Sequence, residues 1–228
     1  MHLMAGSLRH MTNAKGDDRM TEKIKKELIE VAGYMYQKGM VNAFEGNLSI
    51  RKRDTIYITP SSICKGFLKK EMIVVTDLKG NILEGEYKPS SEIKLHLAIY
   101  EHKPELKSVI HAHSPYATAF AVANKPIETK AYPEMIVLFD KIPLAAYGAP
   151  STDDIYKGVL EYLPNYDIIL MANHGIVAVG IDAFDAFFKL ESAESIAKMM
   201  FIVQQLGGAK DLSEEQLEVL YKMRRERL

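Results

Sequence analysis

A chain of 228 residues, 47% of them hydrophobic, is long enough to bury the core of one large domain. Its 29 Lys and Arg nearly balance its 30 Asp and Glu, and no basic block is long enough to bind a nucleic-acid backbone. The single cysteine, Cys64, excludes a disulfide within the chain, and no apolar run reaches transmembrane length. We therefore expect a cytoplasmic protein that binds neither nucleic acid nor membrane.

The first nineteen residues are polar and show no sustained periodicity. We therefore expect residues 1–19 to form a disordered extension and residues 20–228 to form the folded domain. From Thr21, which can cap a helix, apolar residues recur at helical spacing as far as Met35. The sequence thus predicts that the first helix begins at Thr21.

Short strands are predicted after this helix. Apolar runs alternate with turn residues, and the turn at residues 77–81 is typical of a hairpin. The predicted strands cover residues 48–51, 56–58, 72–76 and 82–83.

A second helix is predicted to start at Pro89, because proline followed by two serines is typical of a first helical turn. Ser90 and Ser91 would place two hydroxyls beside free backbone N–H groups at the positive end of the helix dipole, which suits a phosphate. An ordinary helix cap requires only one serine, and the residues alone favour that simpler interpretation.

Glu92 stands in the first turn of the same predicted helix. If its loop faces a metal, the carboxylate could bind the ion or act as a general base. Its alternative role is to complement the helix dipole. His96 follows four residues later on the same helix face, where a packed or supporting role is commoner than metal ligation.

Two histidines end the next predicted strand, at residues 109–113. Because side chains alternate between the faces of a strand, His111 and His113 point the same way. Such a pair on a strand is more commonly exposed on the surface without a ligand. However, a third imidazole, His174, follows another apolar strand at residues 166–171. Three imidazoles with an open fourth position suit a catalytic zinc ion. The three histidines therefore predict one metal site.

The rest of the chain alternates between helix and strand. We expect a strand at residues 142–145 and a strand pair joined across residues 173–175. The predicted helices cover residues 115–123, a segment capped by residues 151–154 that reaches residue 163, residues 183–206 after the cap Asp182, and the C-terminal residues from 213.

Five short motifs occur together in an order and spacing that resemble the class II aldolase family. They are Glu-Gly-Asn-Leu-Ser at 45–49, Ile-Thr-Pro-Ser-Ser at 58–62, Pro-Ser-Ser-Glu at 89–92, His-Ala-His at 111–113 and Asn-His-Gly at 173–175. The resemblance covers residues 22 to about 206 and is greatest to the L-fuculose-1-phosphate aldolase group, with L-ribulose-5-phosphate 4-epimerases as near relatives. It implies a single three-layer α/β/α domain with a mixed, mostly antiparallel central sheet. It also implies a homotetramer with sites near the subunit interfaces.

The resemblance also implies roles for individual residues. His111, His113 and His174 match zinc ligands, with one Zn²⁺ per subunit. Glu92 matches the residue that ligates the resting metal and then acts as acid and base. Tyr132 matches a tyrosine that reaches a neighbouring subunit's site, although a buried aromatic would explain it equally well. The substrate phosphate is implied to bind at Asn47, Ser61, Ser62, Ser90 and Ser91, of which Ser62 stands where glycine is usual.

The implied function is a zinc-dependent aldolase that reversibly cleaves a ketose 1-phosphate, such as L-fuculose 1-phosphate, to dihydroxyacetone phosphate and a short aldehyde, such as L-lactaldehyde. A pentulose-phosphate 4-epimerase or a methylthioribulose-phosphate dehydratase could use the same zinc site. Non-enzymatic binding modules of this type lack the metal site, whereas this chain retains three histidines and Glu92. A Schiff-base aldolase would need a buried lysine, and neither Lys94 nor Lys130 has apolar surroundings in the sequence.

Overall fold

The computed structural model of this chain describes residues 4–150 and 152–227. Its N-terminal half begins with a long helix, continues with four short strands and ends with the helix and strand that carry candidate site residues. These elements are α1 (Met4–Gln37), β1 (Asn47–Lys52), β2 (Thr55–Ile58), β3 (Val74–Asp77), β4 (Ile82–Glu84), α2 (Ile93–His102) and β5 (Ser108–Ala112). Two single-turn 3-10 helices, Lys65–Phe67 and Lys70–Met72, connect β2 to β3.

The C-terminal half alternates between helices and strands. Its elements are α3 (Pro115–Val122), β6 (Ile127–Glu128), α4 (Pro133–Leu138), β7 (Lys141–Ile142), β8 (Leu144–Ala145), α5 (Asp154–Tyr162), β9 (Ile168–Met171), β10 (Gly175–Gly180), α6 (Ala183–Gln205) and α7 (Glu214–Arg227). The cap predicted for α6 is confirmed, because the Asp182 side chain accepts a hydrogen bond from the Asp185 N–H at 2.8 Å. Across the described ranges, no helix is both long and apolar enough to cross a membrane.

The centre of the fold is a sheet of eight strands in the order β4-β3-β2-β1-β5-β10-β9-β8. Neighbouring strands are antiparallel throughout, except that β8 and β9 are parallel. The short strands β6 and β7 pair separately. The predicted mixed, mostly antiparallel sheet is therefore confirmed, and so is the hairpin of β3 and β4.

Helices cover both faces of this sheet. Apolar residues of α1, α3 and α6 pack on one face, where Ile110 and Ala112 of β5 join them. Apolar residues of α2 and α5 pack on the other face, where Val109 of β5 joins them. This alternation places His111 on the α2 side, because it is two residues from Val109. The three-layer α/β/α arrangement is confirmed. His111 faces the helix layer that contains α2, the helix that Glu92 precedes.

Three predicted boundaries are wrong. The second helix does not begin at Pro89, because Pro89 and Ser90 pair with the chain after β2, and α2 starts at Ile93 with Glu92 as its N-cap. The first helix does not begin at Thr21, because α1 starts at Met4 and Thr21 lies inside it, with its hydroxyl 3.1 Å from that of Tyr57. The strand predicted over residues 142–145 is two strands, because Pro143 has no N–H to continue a ladder and the chain passes from β7 to β8 in a different sheet. The prediction of a separate extension over residues 1–19 stays a prediction, and residues 1–3 lie outside the described ranges.

Candidate metal centre and active site

The predicted histidine pair lies at the end of the central strand β5. The neighbouring strands β1 and β10 both pair with β5, and their register sets Asn47 opposite His111 on one side and Val177 opposite it on the other. His113 follows β5 directly, and His174 lies in the turn between β9 and β10. Strand pairing thus brings residues from distant parts of the chain to one edge of the sheet.

The three imidazoles and the Glu92 carboxylate converge. The Nε2 atoms of His111 and His113 are 2.9 Å apart. One Glu92 oxygen, Oε2, lies 3.3 Å from His111 Nε2, and the other, Oε1, lies 3.2 Å from His174 Nε2. One ligand atom from each histidine lies within 4.8 Å of the others. The structure therefore brings together all four residues that the sequence assigned to the metal.

The protonation of the imidazoles suits metal binding. His111 Nδ1 donates to the carbonyl of Ile176 at 3.1 Å, so its Nε2 carries the lone pair that faces the cluster. Burial lowers the pKa of His111 to about 3, and burial also lowers the pKa of His113. Both rings are therefore neutral at physiological pH, which is the form that binds a metal.

The distances within the cluster fit a divalent metal ion. Zinc bonds of about 2.0–2.1 Å to nitrogen place neighbouring donors of a tetrahedral site about 3.3 Å apart. Three of the donor separations, 2.9, 3.2 and 3.3 Å, are close to that spacing, and the histidine ligand atoms all lie within 4.8 Å of one another. Three imidazole nitrogens and one carboxylate form a donor set that binds zinc and several other divalent ions. His111, His113, His174 and Glu92 are thus able to hold one such ion.

A buried hydrogen-bond network fixes the Glu92 carboxylate. Asn47 donates from Nδ2 to Glu92 Oε2 at 2.8 Å, and its Oδ1 lies 2.5 Å from His96 Nε2. His96 Nδ1 in turn lies 2.7 Å from the Ser49 hydroxyl, which is 2.8 Å from the Tyr100 hydroxyl. An amide oxygen only accepts, so His96 Nε2 carries the proton and Nδ1 accepts from Ser49. Burial lowers the pKa of His96 to about 4, which keeps this ring neutral.

This network also fixes the charge on Glu92. Burial by itself raises the pKa of the carboxyl, but hydrogen bonds from the His174 ring and from the Asn47 amide outweigh it and hold the pKa below its ordinary value. Glu92 is therefore ionised and oriented between the histidines. The supporting role expected for His96 agrees with these contacts, since it touches Asn47 and not the cluster.

We expect His96→Leu to lower kcat about 10–100-fold, the range typical of residues that orient a metal ligand, with a much smaller effect on KM. The reason is that Asn47 loses the partner that orients its amide toward Glu92. The buried Asn47 Oδ1 left unpaired should also lower the free energy of unfolding by about 1–3 kcal/mol. Steady-state kinetics and urea unfolding test both effects. Tyr100→Phe is the control, because it changes only the far end of the network; an equal loss of kcat there would contradict the positioning role.

Gly175 allows β10 to approach the histidines closely. A Cβ at this position would lie 2.5 Å from the Ala112 carbonyl oxygen and 2.9 Å from Cδ2 of His113. We therefore expect Gly175→Ala to displace His174 and to weaken metal binding about tenfold, measured by chelator competition. Gly33→Ala is the matched control, because a Cβ there has no neighbour within 4 Å. Unchanged metal affinity in Gly175→Ala would show that the close approach does not matter.

A cleft of about 180 Å³ opens beside the cluster. Glu92 and His113 line it, so it reaches the candidate metal site. Every residue assigned to the substrate phosphate also lines it, namely Asn47, Ser61, Ser62, Ser90 and Ser91. The structure therefore places the residues predicted to bind phosphate in the same cleft as two of the predicted metal ligands.

Backbone pairing holds the two serine pairs side by side. The Ser61 N–H donates to the Lys88 carbonyl at 3.0 Å, and the Ser90 N–H donates to the Thr59 carbonyl at 3.1 Å. Ser62 has a φ of 58°, in the left-handed region that favours glycine. This conformation gives a physical reason for the glycine that is usual at this position in the family.

Two residues lie in places that the sequence did not predict, Tyr132 outside the cleft and Lys65 within its lining. Tyr132 precedes α4 and packs, half-buried, against the core, and it does not line the cleft of its own chain. Its catalytic role stays a prediction. Lys65 lines the cleft although no motif marked it, and it is buried despite its charge. Its sequence neighbourhood, with Lys69 and Lys70 close by, gives no sign that this one lysine is buried.

Similarity to known proteins identifies the family. Residues 26–201 match the family described as Class II Aldolase and Adducin N-terminal domain. The chain is 37% identical over 180 residues to the L-fuculose phosphate aldolase of Methanococcus maripaludis, an alignment that covers 79% of this chain and 97% of that protein. It is 34% identical over 192 residues to the 3-oxo-tetronate 4-phosphate decarboxylase of Haemophilus influenzae, covering 81% and 90%.

The fold agrees with this similarity. A solved structure of an L-fuculose 1-phosphate aldolase superposes with a TM-score of 0.81 at 29% identity, covering 90% of this chain and 97% of that one. The chain therefore belongs to the class II aldolase family. It is a lyase, and the resemblance found in its motifs is confirmed.

Proposed function

We propose that this protein is a zinc-dependent aldolase that reversibly cleaves a ketose 1-phosphate to dihydroxyacetone phosphate and a short aldehyde. The substrate we propose is L-fuculose 1-phosphate, with L-lactaldehyde as the aldehyde product. The observation that carries the proposal is the position of Glu92. Its carboxylate lies 3.2–3.3 Å from two of the three clustered imidazoles and at the same time lines the cleft with the serine hydroxyls.

The reaction demands two functions from this site. Cleavage of the C3–C4 bond leaves negative charge on the ketose fragment, and that charge must be stabilised where it develops. When bound by His111, His113 and His174, a zinc ion supplies Lewis-acid stabilisation for it. The second function is proton transfer at C3, which needs a base of suitable reach.

We assign the proton transfer at C3 to Glu92. In synthesis its carboxylate takes the proton from C3 of dihydroxyacetone phosphate, and in cleavage it returns that proton to the same carbon. Its contact with Asn47 holds it at the edge of the cleft until substrate arrives. The proton on the aldehyde oxygen needs a different group, because it lies on the other side of the broken bond. We assign it to Tyr132 of a neighbouring subunit.

The phosphate end of the substrate is assigned to the serine-lined part of the cleft. Ser61 and Ser62 follow β2, and Ser90 and Ser91 lie just before α2, where the helix dipole favours an anion. All four hydroxyls line the cleft. Asn47 uses one N–H on Glu92 and retains a second one. Binding at this remote group would fix the position of the reacting carbons.

We further propose that the protein is a cytoplasmic homotetramer. Apolar side chains on α6 support an assembly, because Phe188, Phe201 and Ile202 are exposed in the single chain. A subunit interface would also explain how Tyr132 could act while it lies outside the cleft of its own chain. Light scattering on the purified protein tests the tetramer.

A retro-aldol assay tests the proposed reaction. Purified protein is given L-fuculose 1-phosphate, and released dihydroxyacetone phosphate is coupled to NADH oxidation before chelation, after chelation and after zinc is added back. We expect release that chelation abolishes and zinc restores. Parallel assays use 5-deoxy-D-ribulose 1-phosphate, and 3-oxo-tetronate 4-phosphate with detection of CO₂, because relatives with those activities match this chain. Activity on one of these alone would overturn the proposed substrate.

A further inference from the structure

Lys65 is a buried cation without a protein counterion. It begins the 3-10 helix Lys65–Phe67, and only 3% of its surface is exposed. Its ammonium donates one hydrogen bond, to the Ile63 carbonyl at 2.9 Å. In the described part of the chain, no carboxylate oxygen lies within 4 Å of its Nζ. Burying an unpaired charge is costly, so a compensating partner is expected.

The location of Lys65 indicates what that partner is. Lys65 lines the same cleft as Ser61 and Ser90, and it is the one Lys or Arg among the described residues that do so. An ammonium has three N–H donors, of which the protein uses one. Burial also lowers the pKa of this ammonium, which a bound anion would counteract. The serine hydroxyls that line the cleft with it can donate hydrogen bonds but carry no charge.

We propose that Lys65 binds the phosphate dianion of the substrate and supplies the positive charge that the serine hydroxyls lack. This inference rests on the proposed function, in which the cleft holds a sugar phosphate. It adds a charged residue to a phosphate site that otherwise consists of neutral donors. Lys65 is thereby a binding residue, and its loss affects KM far more than kcat.

Inorganic phosphate tests the proposal without any turnover. The full chain is titrated with inorganic phosphate, and both binding heat and the shift in Tm are measured for the wild type and for Lys65→Met. We expect the dissociation constant to rise at least about tenfold in Lys65→Met, because a charge-assisted hydrogen bond is lost. The phosphate-induced rise in Tm should disappear as well. Lys94→Met is the control, because Lys94 is exposed near the start of α2 and pairs with Asp153.

A structural role for Lys65 gives a different result. If Lys65 only holds the Ile63 carbonyl, Lys65→Met would lower the Tm without phosphate while the phosphate-induced shift persisted, and that outcome would overturn the proposal. Lys65→Gln keeps a donor for Ile63 without the charge, so it should also lose phosphate binding. A wild-type protein that binds no phosphate at tens of millimolar would equally overturn it. So would borohydride trapping of a substrate imine on Lys65, because that would make the lysine a nucleophile.

The assay of the sugar phosphate separates this inference from the proposed function. If phosphate binding depends on Lys65 but L-fuculose 1-phosphate is not cleaved, the anion site stands and the proposed substrate fails. If L-fuculose 1-phosphate is cleaved and Lys65→Met leaves its KM unchanged, the aldolase stands and Lys65 is not a phosphate ligand.

Discussion

Glu92→Gln should lower turnover by about 10²–10⁴-fold, the usual contribution of a general acid or base, while the bound metal stays near the wild-type amount. The amide has the same shape as the carboxylate, and three imidazoles remain to hold the ion. It cannot take a proton from C3, however, because an amide is not a base at physiological pH. Kinetics of dihydroxyacetone phosphate release and metal content per chain, measured on the same sample, test both parts.

The control for this substitution is Glu101→Gln. Glu101 lies on the same helix α2 but is exposed to solvent, so removing its charge should leave turnover within about twofold. Near-normal turnover in Glu92→Gln would remove Glu92 from the proton-transfer step. Loss of the metal together with turnover would instead make Glu92 chiefly a ligand.

His113→Ala should abolish both metal binding and activity. His113 Nε2 lies 2.9 Å from His111 Nε2, so its removal leaves two imidazoles and one carboxylate around the site. Removing a residue that only supports a ligand lowers metal affinity or activity by up to about 100-fold. Removing a ligand itself should lower both by more than that. Metal content after gel filtration and kcat/KM with added zinc measure the effect. His102→Ala is the matched control, since His102 is exposed at the end of α2.

These two substitutions separate two explanations of the site. In Glu92→Gln the metal remains and proton transfer is lost, whereas in His113→Ala both are lost. If His113→Ala kept its metal and its turnover, the three-histidine centre would be wrong, whatever the result at Glu92. The pair therefore tests metal binding and base catalysis independently.

The convergence of the predicted metal ligands could be anticipated because their positions follow from local rules. A strand has a period of two residues, so the joint direction of His111 and His113 could be predicted from their spacing alone. His174 could be predicted because it follows an apolar strand, and sheets gather such ends at common edges. The contact of Asn47 with Glu92 depends on the register of β1 against β5, which no local pattern determines.

The burial of Lys65 could not be predicted for a different reason. Apolar residues flank it in sequence, yet Phe67 is exposed while Lys65 is buried, so the local pattern does not show which side chain turns inward. The burial arises from tertiary packing around the 3-10 helix that Lys65 begins. Lys94 and Lys130, the two lysines weighed for a Schiff base, are exposed in the structure. The division of residues 142–145 between two sheets is also a tertiary effect. Pro143 did indicate an interruption, because proline cannot donate a hydrogen bond within a strand ladder.

The positions of the four candidate metal ligands along the chain have a consequence for how long the folded protein persists. Glu92, His111, His113 and His174 lie in three segments: the residue before α2, the end of β5 and the turn before β10. An ion bound to all of them would close long loops in a chain that has one cysteine and hence no disulfide of its own. If the proposed metal became scarce, the cell would then lose enzyme molecules as well as activity, because metal-free chains would open more often and be degraded sooner.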